Sequence, residues 1–427
     1  MYTMTSCETC GKTFTTAAIQ KHKSRKIPCV ANEFREASNT FNKSLSKEVR
    51  KQEGIYFTPK KARSHLFSTL AELHINPSSI LEPSFGSGEF LQDARIAYPE
   101  ATLVGVEKNE TLFQSLNEPH MNLTCSDFLT WSGPSTDLII GNPPYFVIKT
   151  THLNAKQKKE FALQHSNCLS GRPNIYIMFM YKCLSQHLNP GGHLAFIIPT
   201  SLYSCSYYQP LRNYIQEYCT ILHVENLDKP GFFETGQETM LIVLQKTKLN
   251  DNYIFKARNG CFYISPHYND LYHITKNTTT LSELGLGVKT GNVIWNEVKS
   301  NLADEGTLLI YSSNLNNCEL TLNNLCGTKK QYVTNINKPV LTGPVILVER
   351  GYGNTFNFNF ALVDLPEFYA ENHINVIYPK TPESIVHLEK VVKSFQNEKN
   401  KLFIEWFLGN GSVSATDLET IFPIYTL

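Results

Sequence analysis

A dominant charge of one sign is missing from this chain. Across 427 residues the formal net charge is only +1, so any surface for a polyanion has to come from uneven placement of charge. Long apolar runs are missing as well. No stretch approaches the roughly 20 continuous apolar residues of a membrane span, and Met1-Tyr2-Thr3-Met4 opens no signal peptide; the expectation is a soluble, intracellular protein. Internal repeats and low-complexity tracts are absent. There are 11 cysteines, but Cys125, Cys168, Cys183, Cys205, Cys219, Cys261, Cys318 and Cys326 have neither metal-type nor disulfide-framework spacing, and are expected as buried thiols in a reducing compartment.

What is present falls into sections. The length exceeds one ordinary core, so two domains and a small appendage are expected. Residues 1–35 hold the other three cysteines. Residues 36–53 are polar, with few apolar positions, and predict a linker or exposed helix. Basic residues gather early, with Lys21, Lys23, Arg25, Lys26, Lys47, Arg50, Lys51, Lys60, Lys61 and Arg63 among them.

From Ile80 to about Lys246, short apolar runs alternate with amphipathic stretches. Leu103–Val106, Leu138–Ile140, Leu194–Ile198 and Met240–Leu244 have strand length. Phe161–Cys168 and Asn174–Leu188 show helical spacing, and Asn189-Pro190-Gly191-Gly192 is a stop signal. Alternation of this kind predicts a doubly wound, Rossmann-like α/β domain over 54–249, with ligands at the carboxyl ends of its strands. After about Asn250 the alternation is lost. A second, mixed α+β domain is expected over 250–427, with a strand at Val345–Val348 and a helix over Glu383–Phe407.

Three segments of the α/β region carry chemistry in chain order. Leu81-Glu82-Pro83-Ser84-Phe85-Gly86-Ser87-Gly88 reads as a strand end entering a Gly-rich turn, where glycines permit close backbone approach to a ligand. Gly105-Val106-Glu107 puts a carboxylate at the next strand end, suited to a ribose diol. Ser126-Asp127-Phe128 then offers a carboxylate and a ring for an adenine. Their order favours one adenosyl ligand.

The decisive segment is Ile140-Gly141-Asn142-Pro143-Pro144-Tyr145-Phe146. Two consecutive prolines stiffen the loop in an extended conformation. An aromatic amine is a poor nucleophile because its lone pair is delocalised into the ring. A fixed Asn142 side-chain oxygen and the Pro143 carbonyl can accept its two N–H bonds and draw the nitrogen towards a nucleophilic geometry. The target base has to leave the duplex, and Tyr145 is placed to stack on it.

These segments resemble the class I amino-methyltransferases, and their order resembles the gamma group of DNA adenine-N6 methyltransferases, the Taq-type methylases of restriction–modification. The resemblance covers nearly the whole chain. It implies S-adenosylmethionine as cofactor and transfer of its methyl group to N6 of a flipped adenine in double-stranded DNA. Gly54-Ile55-Tyr56-Phe57-Thr58-Pro59 matches the family segment that contacts the methionine part, which implies roles for Tyr56, Thr58 and Pro59. Glu82, Pro83, Gly86 and Gly88 match the Gly-rich cofactor loop, Glu107 the ribose acid and Asp127 the adenine acid, with Phe128 and Phe146 beside them. Asn142, Pro143, Pro144 and Tyr145 match the catalytic loop. Phe233 is similar to the family's late aromatic that packs on the flipped base, with Phe232 as its rival. The C-terminal half is implied to be the target-recognition domain, with softer matches at Gly343–Gly351, Glu371–Ile374 and Asn410–Ser412.

At the N-terminus, Cys7-x2-Cys10-x11-His22-x6-Cys29 has four-ligand zinc spacing. A module of about 30 residues needs such a staple to fold. It resembles the zinc-finger-like modules of large DNA viruses, which adds a viral replication compartment to the cytoplasm as an expected location. Rival readings are the same loop acting on protein glutamine or RNA, and a DNA-binding module without catalysis. No Asp…Glu-x-Lys nuclease cluster is present, so a cognate restriction endonuclease would be a separate partner.

Overall fold

Strands buried on both faces read as continuous apolar runs, and the chain's longest such runs form the centre of one sheet. The computed structural model describes residues 4–6, 13–15, 34–44, 56–116, 118–149, 153–171, 174–227, 238–316, 318–322, 325, 327–351, 358–408 and 412–425. The chain divides into two units, Met1–Asn252 and Tyr253–Leu427.

The first unit opens with β1 (Met4–Ser6) and β2 (Thr13–Thr15), paired antiparallel. Helices α1 (Glu36–Ser44) and α2 (Lys60–Glu72) follow, then β3 (Ser79–Glu82), α3 (Glu89–Ala97), β4 (Thr102–Glu107), α4 (Glu110–Ser115), β5 (Asn122–Cys125) and β6 (Thr136–Gly141). Next come α5 (Ala155–Gln164), α6 (Ile175–Lys182), β7 (Leu188–Pro199), α7 (Gln209–Tyr218), β8 (Thr220–Leu227) and β9 (Thr239–Gln245). Seven strands form one sheet in the order β5-β4-β3-β6-β7-β9-β8. All run the same way except β9, which lies antiparallel to both β7 and β8. Period-2 alternation puts Ile80, Leu103, Leu138, Ile140, Ala195 and Ile197 in one core with Leu66 and Leu70 of α2 and Phe90 and Leu91 of α3. The order reverses beside β3, which makes the carboxyl ends of β3 and β6 the natural ligand site of a doubly wound sheet.

Three expectations are corrected here. The helix expected over Phe161–Cys168 is α5, which starts earlier because Asn154 and Gln157 form a reciprocal capping box. Residues 36–44, expected as linker or exposed helix, form α1, with Ser38 fully buried. Of the eight cysteines expected to be buried, Cys125 is exposed, while Cys205, Cys261 and Cys318 are half-buried.

In the second unit, β10 (Leu286–Thr290), β11 (Leu302–Ala303), β12 (Thr307–Ile310), β13 (Tyr332–Val333), β14 (Val345–Glu349), β15 (Phe360–Val363), β16 (Phe368–Ala370) and β17 (Ile374–Pro379) build two four-stranded sheets. Their orders are β10-β17-β14-β15 and β11-β13-β12-β16. Alternate residues of β14 serve two cores, Ile346 and Val348 on one face, Val345 and Leu347 on the other. The single helix expected over Glu383–Phe407 is instead broken into a 3-10 turn (Pro382–His387), α8 (Leu388–Phe395), α9 (Lys399–Phe403) and a π turn (Ile404–Leu408). The break falls where Asn397 Oδ1 accepts the Lys399 N–H at 3.0 Å, a local bond that competes with helix continuation.

Among the described residues, no helix is long and apolar enough to cross a membrane, and no three metal-capable side chains cluster. The zinc candidates Cys7, Cys10, His22 and Cys29 lie outside the described residues, as do Cys326, Phe232 and Phe233.

Candidate active site

At the carboxyl ends of β3, β4 and β6, and in the turn after β5, lies a cavity of about 560 Å³, within the range of cofactor sites. Its lining includes Tyr56, Thr58, Glu82, Pro83, Gly86, Glu107, Asp127, Phe128, Asn142, Pro144 and Phe146. Five segments well separated along the chain are thus brought to one place. Pro59, Gly88, Pro143 and Tyr145 are not in the lining.

The Gly-rich turn works through two left-handed glycines. Gly86 has φ +57° and its N–H donates to Glu107 Oε2 at 2.8 Å, which ties the turn to the neighbouring strand end. Gly88 has φ +81°, and a Cβ there would stand 2.3 Å from Leu116 Cδ2. Gly88 therefore lets the turn pack closely on Leu116, just after α4, and is not in the cavity lining.

Of the carboxylates in the lining, Glu82, Glu107 and Asp127 are held in different ways. Glu82 is 2% exposed and its Oε2 has no hydrogen-bond partner among the described residues. Burial, followed by the negative charges of Glu89 and Glu107, pushes its carboxyl well above the ordinary range. Glu107 is raised by burial too, although its oxygens accept the N–H groups of Asn109, at 2.7 Å, and Gly86. Asp127 goes the other way. Burial opposes its charge, but Lys108 Nζ at 2.8 Å and the Leu129 N–H at 3.0 Å outweigh that and hold the carboxyl below its usual value.

Asn142 follows β6 with its amide held at both ends. Nδ2 donates to Thr58 Oγ1 at 2.9 Å and, more weakly, to the Tyr56 carbonyl at 3.4 Å. Oδ1 accepts from the Tyr145 hydroxyl, which also reaches the Ile197 carbonyl at 2.5 Å. Tyr145 is only 6% exposed, its ring edge-on to Tyr176. The ring does not lie open for stacking as the sequence reading expects; the structure makes this tyrosine a clamp on Asn142.

One helix fixes two walls. The face-to-face apolar sequence of α6 buries it on nearly all sides. At its start, Ile175 N–H donates to the Phe146 carbonyl at 3.0 Å, pinning the Asn-Pro-Pro-Tyr-Phe loop. At its end, Lys182 Nζ donates to the carbonyls of Phe128 (2.7 Å), Leu129 (3.0 Å) and Trp131 (2.6 Å), pinning the turn that presents Asp127 and Phe128.

Residues that sequence reasoning missed bind the Gly-rich loop from behind. Glu89, itself in the lining, accepts the Arg35 N–H at 2.9 Å and the Ser38 hydroxyl at 2.7 Å on Oε1, with Arg63 Nη1 3.4 Å from Oε2. Ser38 Oγ also meets Ser87 Oγ at 2.5 Å, and Arg63 Nη1 donates to the Thr58 carbonyl at 2.6 Å. No local pattern announces such pairings; Glu89 in the first turn of a helix after glycine reads equally well as a dipole-favoured surface acid.

Residues 106–233 match the family model described as Eco57I restriction-modification methylase. Modification methylase CviBIII of Paramecium bursaria Chlorella virus NC1A is 31% identical over 404 residues, covering 92% of this chain and 99% of the relative. Type II methyltransferase M.CvrRI of Paramecium bursaria Chlorella virus XZ-6E is 28% identical over 403 residues, with 92% and 99% covered. Among solved structures, the M protein of type I restriction enzyme EcoKI superposes with a TM-score of 0.36 at 16% identity, covering 49% of this chain and 47% of that one. On the identity and coverage of its viral relatives, the chain belongs to the type II modification methylases of restriction–modification systems, and is a DNA methyltransferase.

Proposed function

We propose that this methyltransferase transfers the methyl group of S-adenosylmethionine to N6 of an adenine flipped out of double-stranded DNA at a specific sequence. The observation that carries the reading is Asn142, whose amide is clamped by Thr58 and Tyr145 at the rim of the cavity. Such a clamp keeps an acceptor oxygen in place for a weakly nucleophilic amine without asking for a strong base.

The residues fit the cofactor. The Glu82 Oε2 without a partner among the described residues suits the α-ammonium group of its methionine part, and Tyr56 and Thr58 also line the cavity. Each Glu107 oxygen accepts one N–H and keeps lone pairs for the ribose hydroxyls. Asp127 would take the cofactor's adenine amino group, and Phe128 and Phe146 in the same lining offer it apolar surface. Bound there, S-adenosylmethionine supplies an electrophilic methyl group on a sulfonium. The chain's own part is to receive the two N–H bonds of the target amine on Asn142 Oδ1 and the Pro143 carbonyl, so that its lone pair leaves conjugation. Pro144 stiffens that loop. Phe233 remains the proposed stacking partner of the base; stacking on Tyr145 would require its buried ring to turn outward.

The test is incubation with tritiated S-adenosylmethionine and mixed-sequence duplex DNA, followed by digestion to nucleosides. Label is expected in N6-methyladenine and lost in Asn142→Ala. Label in a methylcytosine would sink the adenine reading while leaving the enzyme a DNA methyltransferase.

We also infer one structural zinc ion on Cys7, Cys10, His22 and Cys29. The spacing supports it, as does the β1–β2 pairing, which encloses the Cys7-x2-Cys10 segment in sequence; metal analysis of the intact chain checks it. A separate restriction endonuclease is the partner this reading implies, and resistance of the methylated DNA to its cleavage is the check.

A further inference from the structure

The second unit contains three segments that stand out in sequence but have no role in the cavity, and folding brings them together. Arg350 directly follows β14, and His373 directly precedes β17, its antiparallel neighbour, where Glu349 pairs with Ile374. The Arg350 N–H donates to the His373 carbonyl at 2.9 Å, and the Val413 N–H donates to the Arg350 carbonyl at 2.8 Å. Fully buried Asn375 holds Val413, which follows the third segment, by donating Nδ2 to its carbonyl at 2.8 Å.

The side chains at this sheet end carry charge in a particular arrangement. Arg350 makes one side-chain bond among the described residues, Nη1 to the Asn372 carbonyl at 3.2 Å, and no ion pair. A guanidinium has five N–H donors, so this bond fixes the fork and leaves most of it available. His373 is 42% exposed, with Nδ1 3.6 Å from Glu371 Oε1. Glu371 is 1% exposed and also faces Lys329 Nζ at 3.3 Å; that ammonium lies over the Tyr311 and Trp295 rings. A buried carboxylate thus holds one cation in place and faces the imidazole, while the half-buried Arg350, opposite His373 across the strand pair, has no carboxylate partner among the described residues.

We propose that Arg350 and His373 together grip a phosphodiester group of the DNA backbone, with Glu371 as a positioning residue behind the imidazole. A fork-shaped guanidinium anchored on one side and a partly exposed imidazole on the adjacent strand match the phosphate contacts that set a protein's register on DNA without reading its sequence. The proposal rests on the DNA reading above and adds to it a place and a chemical group.

Its test uses the full chain and a fluorescent mixed-sequence duplex, with affinity followed by anisotropy over a series of salt concentrations. Losing one phosphate contact lowers the slope of log affinity against log salt by about one. Arg350→Gln is expected to weaken binding roughly tenfold at moderate salt and flatten the slope by about that amount, His373→Gln to weaken binding to the same phosphate with Arg350 still setting the slope, and Arg350→Lys to keep the slope. Cofactor binding should stay unchanged in all three variants. A wild-type slope in Arg350→Gln or wild-type affinity in His373→Gln would overturn the proposal, and so would unchanged slope with altered preference between sequences, which marks a base contact. Wild-type label transfer to duplex DNA, measured separately, tests the DNA reading itself.

Discussion

Glu82 should make cofactor affinity depend on pH, and the sign follows from its surroundings. With the cavity empty, burial and the nearby charges of Glu89 and Glu107 raise its carboxyl well above the ordinary value, so a proton is favoured. An ammonium group beside Oε2 favours the carboxylate. Binding of S-adenosylmethionine is therefore expected to release a proton wherever the empty site is protonated, and affinity should climb with pH up to the raised pKa of the empty site. The limiting slope is tenfold per pH unit, since each unit of pKa difference is worth about 1.4 kcal/mol. Glu82→Gln removes the titration and replaces a charge-assisted hydrogen bond with a neutral one. That bond is worth about 1.5–3 kcal/mol, so affinity at neutral pH should fall roughly 10- to 150-fold. Stability without cofactor should move the opposite way. A carboxyl whose folded pKa lies above its unfolded value costs stability as pH rises past the unfolded value, so Glu82→Gln should melt higher than wild type at neutral pH. Calorimetric titration in buffers of different ionisation enthalpy counts the protons, and thermal melts give the second arm. A Glu82→Gln protein with wild-type affinity and the same proton release would refute the assignment of the ammonium to this residue.

Ser38→Ala removes a fully buried hydroxyl shared by Ser87 and Glu89 and should raise the Kd for S-adenosylmethionine roughly tenfold, within what a bond to a charged group is worth. The turnover at saturating cofactor and the KM for DNA should hold; a fall in turnover with unchanged cofactor affinity would make Ser38 structural support alone. For the N-terminal module, metal analysis of the intact chain is expected to find one zinc per protein, reduced in Cys10→Ser. Equal zinc in wild type and variant would remove this cysteine from the ligand set.

The parts of the site legible in sequence are those whose chemistry is local. A turn needs its glycines, as Gly86 and Gly88 show with positive φ, and a stiff loop needs its prolines, so these segments carry their signatures within a few residues. The parts that were not legible are pairings across the chain: Ser38 with Glu89, Arg63 with Glu89, Lys182 with the turn at Asp127. In each, an ordinary polar residue acquires its meaning from a partner dozens of residues away, and nothing at short range separates it from a solvated side chain. Tyr145 shows the same limit from the other side. Its place in the motif suggested a ring offered to a base, yet the hydroxyl has two buried acceptors within reach, Asn142 Oδ1 and the Ile197 carbonyl. Turning the ring outward would leave the β7 carbonyl without that bond and take one clamp off Asn142. A base entering this site would have to repay both losses, so the tyrosine is well placed to release Asn142 Oδ1 only when a flipped base is there to receive it. On that argument Tyr145→Phe should act more on turnover than on cofactor affinity, because the hydroxyl it removes holds the Asn142 amide while Tyr145 itself stays outside the cavity lining.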